Sequence, residues 1–244
     1  MLLVLTLTAG SVDAISYLGL GHVFTAMMTG NTVLLGLALA QGEVLAALRS
    51  IVALIGFVLG VFVGAIIVGR DSEPAEWPTV VTAALALEAA ILGISAATTC
   101  LLDSTRTSVI YWLIILLALA MGIQSAAVRR LGVPGIATTY ITGTLTTLMV
   151  DLLGWLRWVA ARLPVSQAAG QDIAAIRSIP WEQRVGLLAG VVVLYCFGAL
   201  AGGVLQINSP LLASLLPPAA VLLVVLNAAI RQRHRQRNST NFRF

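Results

Sequence analysis

The chain has 244 residues, of which 59% are hydrophobic and only 10% charged, and its mean hydropathy is +0.99. Soluble domains carry roughly 25% charged residues and disordered chains need low hydrophobicity with high charge, so both classes are excluded. All 14 basic residues are arginine and the pI is near 9.7, yet they fall in loops and in the tail Arg231, Arg233, Arg235 and Arg237. That distribution marks cytoplasmic ends and contact with anionic lipid, not nucleic-acid binding.

A crossing takes about 20 apolar residues, so the sequence predicts an all-α integral membrane protein of about eight hydrophobic helical segments. They run over 2–20, 25–42, 48–69, 78–102, 107–128, 136–156, 184–205 and 210–230. The first is a retained helix and not a signal peptide, because no basic region precedes it, Asp13 interrupts it and no small-residue cleavage site follows. Apolar sequence begins abruptly at Met1, so the true start is expected upstream. Pro164 and Pro180 bracket an alanine-rich piece of the polar linker 157–183, expected to lie along the interface. Pro217 and Pro218 are expected to kink the last segment. Cys100 and Cys196 lie in apolar runs without a metal-ligand spacing and read as buried structural thiols.

With eight crossings, arginine counting favours both termini inside, in a bacterial inner (plasma) membrane. Arg49, Arg106, Arg157, Arg162, Arg177, Arg184 and the tail arginines then face the cytoplasm. Arg129 and Arg130 are misfits on the outer side. Either their hairpin does not cross fully, or the two cations have a reason to stand there.

The two halves resemble each other. Gly10-Ser-Val-Asp13 followed by Thr25-Ala-Met-Met-Thr29-Gly30-Asn31 is echoed by Gly122-Ile-Gln124-Ser125 followed by Thr138-Thr-Tyr-Ile-Thr142-Gly143-Thr144. The expected organisation is therefore a first membrane repeat over 1–106, a second over 107–230 containing the linker 157–183, and a basic cytoplasmic tail over 231–244. Four crossings per unit would make the repeats parallel, whereas an odd number would invert them.

Ionisable residues inside apolar segments are costly and are functional candidates by default. Asp13 and Glu88 are the proton-coupling candidates. The plainer alternatives are that Asp13 caps a helix break or pairs with Arg129 or Arg130, and that Glu88 is a helix contact. Asp151 reads as interfacial, and so does His22, in the turn between the first two segments. The Thr-Gly strings are candidates for broken helices whose exposed backbone binds solute, with tight packing as the alternative. Gly56, Gly60 and Gly64 form a ladder that reads as helix packing and is the surface expected for a homo-oligomer.

No zinc-protease, serine-protease or phosphate-loop pattern occurs, so neither an enzyme nor a cofactor is expected. The strings around Asp13, Thr29-Gly30-Asn31, Gln124-Ser125 and Thr142-Gly143-Thr144 are similar to those of the YoaK family of bacterial polytopic inner-membrane proteins, a domain of unknown function. The resemblance covers about residues 5–230 and implies a multi-pass membrane protein without supplying a substrate.

The expected function is a permease or transporter for a small anionic solute, coupled to protons. In this reading Asp13, Thr29, Gly30 and Asn31 meet Gln124, Ser125, Thr142, Gly143 and Thr144 across a central site, with Arg129 and Arg130 at its mouth. The rival is a non-transporting membrane assembly, accessory or sensor protein. A wet cavity reaching Asp13 would separate the two. Lipid and solute are the expected partners.

Overall fold

A computed structural model describes residues 1–69, 77–103, 106–131, 141–162 and 181–241. Thr138, Gly132 and most of the 157–183 linker lie outside the described residues. The described chain is all helical: α1 (Leu2–Gly19), α2 (Met28–Gln41), α3 (Val44–Val68), α4 (Thr79–Leu101), α5 (Thr107–Arg130), α6 (Ile141–Arg162), α7 (Trp181–Asn208) and α8 (Pro210–Asn241). α8 continues through Pro217 and Pro218.

Among the described residues, six helices are long and apolar enough to cross a bilayer, namely α1, α3, α4, α5, α7 and α8. α2 has 14 residues, about 21 Å of helix against a hydrocarbon core of about 30 Å. α6 has 22 residues, and it is less apolar than the six, with Asp151, Arg157 and Arg162 along it. The eight expected segments are all helical, but among the described residues six meet the length and apolarity of a crossing, and α2 is too short for one. Hydropathy misled because the run 25–42 joins an irregular segment to a short helix without any change in polarity.

Two ends of the bundle can be told apart by their neighbours. Met1 and Leu3 stand with Trp77, Leu187, Ala228 and Arg231, while Gly19 and Leu20 stand with Thr99, Gln206 and Pro210. Hence α4 and α7 run parallel to α1, and α8 runs antiparallel. α5 is antiparallel too, because Leu113 and Leu117 lie at the Gly19 end while Gln124 reaches back to Leu5.

The tightest packing joins α1 to α7 and α3 to α5. A Cβ on Gly198 would stand 2.1 Å from the Leu7 carbonyl oxygen, and one on Gly60 2.1 Å from that of Leu119. Glycine is required there because backbone meets backbone. Gly56, Gly60 and Gly64 all face α5 of the same chain. A second copy could reach that ladder only by displacing α5, so the expected homo-oligomer surface is already occupied. Both cysteines are exposed on the outside of the bundle, contrary to the buried reading, because a membrane helix has an apolar outer face as well as a core.

Candidate functional site

Asp13 lies in the second half of α1 and is 3% exposed. Past the end of α1, Gly21 (φ 85°) and His22 (φ 62°) reverse the chain in left-handed conformations. The following residues run back along α1 to meet the Asp13 carboxylate. Its Oδ1 accepts the backbone N–H groups of Thr25 (3.0 Å), Ala26 (2.7 Å) and Met27 (3.2 Å). Its Oδ2 accepts the Tyr195 hydroxyl at 2.5 Å. The three amides lead directly into α2, whose start would otherwise leave buried donors without acceptors. One side chain thus caps the break from another helix and ties α7 to it.

Asn31 completes the lock. Its Oδ1 accepts the Phe24 N–H at 2.9 Å and its Nδ2 donates to the Phe24 carbonyl at 2.5 Å. Tyr17 stacks on Phe24 and meets His22 edge to face. His22 is exposed, as an interfacial residue would be. The Thr-Gly-Asn string therefore holds a broken helix in place, and Asp13 pairs with amides and a tyrosine, not with Arg129 or Arg130.

The remaining expected site residues are dispersed. α2 packs on α3 and α6 packs on α7, with no contact between α2 and α6 among the described residues. The two Thr-Gly strings therefore do not meet across a central site. Thr29 and Thr142 are exposed, Gly30 and Gly143 are half-buried, and Thr144 is buried. Gln124 is buried and donates to the Leu5 carbonyl at 3.1 Å, and Ser125 donates to the Met121 carbonyl at 2.9 Å. Arg129 and Arg130 are exposed in the last turn of α5, at the Met1 end.

Two hollows open at opposite ends of the bundle. A vestibule of about 570 Å³ at the Met1 end is lined by Met1, Trp77, Leu187, Arg231, Gln232 and His234. A narrow cavity of about 60 Å³ at the Gly19 end is lined by α1, α4, α5, α7 and α8, with room for a few water molecules. Its polar lining is Ser95, Thr99, Gln206 and Ser214, and its α1 lining is Val12, Ile15, Gly19 and Leu20. Asp13 lines neither of these two hollows.

Glu88 occupies the core near the middle of α4 and is fully buried. Neither carboxyl oxygen has a hydrogen-bond partner among the described residues. Sequence reasoning ranked it below Asp13 because it belongs to no repeated string; only its surroundings set it apart.

Comparison with known proteins agrees with this architecture. The UPF0700 transmembrane protein YoaK of Bacillus subtilis (strain 168) is 49% identical over 154 residues, covering 63% of this chain and 67% of the relative. No solved structure matches. The family model for the protein of unknown function DUF1275 matches residues 1–228. The chain is a multi-pass transmembrane protein and belongs to the DUF1275 family, the family of YoaK.

Proposed function

We propose that the protein is a permease for small anionic solutes, built from two inverted halves. The observation that carries this reading is the recurrence of each helix contact four helices further along the chain. α1 with α7 answers to α5 with α3, α2 with α3 to α6 with α7, and α1 with α8 to α5 with α4. The glycines follow the same exchange. A Cβ on Gly10 would strike the Tyr195 carbonyl and one on Gly122 that of Phe57; Gly60 and Gly198 meet the carbonyls of Leu119 and Leu7. Because α1 and α5 run in opposite directions, the halves would be related by an axis in the membrane plane. That is the architecture from which many transporters build alternating access.

Each half then contributes three long apolar helices and one, α2 or α6, that does not meet both the length and the apolarity of a crossing. This frame relieves the misfit of Arg129 and Arg130, which stand at the Met1 end with Arg231, while Arg49 and Arg106 stand at the Gly19 end. The positive-inside rule puts that end, with both termini, in the cytoplasm. The cation at the mouth of the inner hollow is Arg231, which favours an anionic solute. The accessory-protein reading draws support from Asp13, whose bonds all serve packing.

Two experiments test the reading. Single cysteines at Glu43 and at Asp103, in a chain with Cys100→Ser and Cys196→Ser, should both react with a membrane-impermeant maleimide from outside the cell. Eight crossings would hide both. In purified protein, a panel of carboxylates, phosphate and sulfate should contain a member that stabilises the fold by about 2.7 kcal/mol at a hundredfold excess over its dissociation constant, read as a raised unfolding midpoint. The shift should be lost in Arg231→Ala. No shift across the panel would contradict an anionic solute.

A further inference from the structure

Asp13 and Glu88 are both buried, but only Glu88 is left without partners. It lies on the face of α4 that also turns Ala84, Leu85, Ile91 and Leu92 into the core. The helices packed on α4 are α3, α5 and α8. Their ionisable residues stand towards the ends: Arg49 on α3; Tyr111, Arg129 and Arg130 on α5; Arg231 and its successors on α8. α4 itself adds Cys100, near its own end. An ionised carboxylate enclosed in this way has no charge to offset it, and such a state is strongly unfavourable.

Some cation must therefore neutralise Glu88. A hard metal ion takes several oxygen ligands, whereas the neighbours of Glu88 along its face of α4 are alanine, leucine and isoleucine, and no cluster of metal-ligating residues occurs among the described residues. A proton needs only the carboxyl group. Ser95, on the wall of the narrow cavity, lies about 10 Å further along α4. Trp77, on the wall of the vestibule, lies roughly 15 Å the other way. Glu88 stands between the two hollows.

We propose that Glu88 is the exchangeable proton site of this protein. Enclosed, its carboxyl group holds a proton; when the bundle opens towards either hollow, the proton passes to water there, leaving a carboxylate that is reprotonated from the other side. The use of this cycle to drive transport rests on the permease reading; the bound proton does not.

Infrared spectroscopy of the purified protein tests the site without any solute. At neutral pH the wild type should show the carbonyl stretch of a protonated carboxylic acid, and the band should move to lower frequency after transfer to D2O. Glu88→Gln should lose it, Glu88→Asp should displace it, and Asp13→Asn should retain it. A wild type without the band, or a band that survives Glu88→Gln, would overturn the assignment. A band that never moves in D2O would make Glu88 an inert buried acid. An empty solute panel with an intact band would fail only the permease reading, and a missing band with a solute shift would fail only this one.

Discussion

Asp13 and Glu88 are both carboxyl groups buried in apolar helices, and they are opposites in every other respect. Asp13 accepts bonds from three backbone amides and a tyrosine, on both of its oxygens. Glu88 has no partner among the described residues. A side chain with all its bonding capacity filled by the protein holds the fold together and has little left to offer a ligand. A side chain left open at full burial carries a cost that packing does not explain, and that cost points to function. The location of a charge in a membrane helix thus identifies a candidate, while its partners decide what kind of candidate it is.

Substitutions at these positions should separate the two roles. Asp13→Ala should have the largest effect, because it strands the amides of residues 25–27 and the Tyr195 hydroxyl. At roughly 1–3 kcal/mol for each buried group left unsatisfied, the loss should reach several kcal/mol, read as a collapse of the unfolding midpoint. Gly198→Ala and Gly60→Ala come next, at about 1–3 kcal/mol each, because the new methyl group meets a carbonyl on the neighbouring helix. Similar losses at both sites would sharpen the case for equivalent halves, and a loss at only one would break it. Tyr195→Phe should cost about 1–3 kcal/mol, less than Asp13→Ala, since only Oδ2 loses its donor and the amides keep Asp13 in place. Glu88→Leu should cost nothing or stabilise, because replacing a buried polar group by an apolar one of similar shape is close to neutral or better.

Much of the fold is legible in the sequence, because long apolar runs bounded by charge leave few alternatives. The short α2 is not, since the residues before Met28 are as apolar as the helix itself. The role of Asp13 is hidden for a different reason: its partners are mostly backbone amides, which carry no signature in the residue alphabet. The Gly56, Gly60 and Gly64 ladder announces a close helix approach without naming the helix, and α5 of the same chain takes it. Gly10 and Gly122, by contrast, repeat in sequence and make the same kind of backbone approach in the structure. Glu88 is visible as a charge, but its isolation depends on how α3, α5 and α8 pack around α4.

The most direct test of the division between the two carboxyl groups is to unfold Asp13→Ala and Glu88→Leu side by side, in one detergent and lipid mixture. Asp13→Ala should melt far below the wild type, and Glu88→Leu should melt at or above it. A Glu88→Leu protein that melts as low as Asp13→Ala would make Glu88 a structural residue and contradict the account.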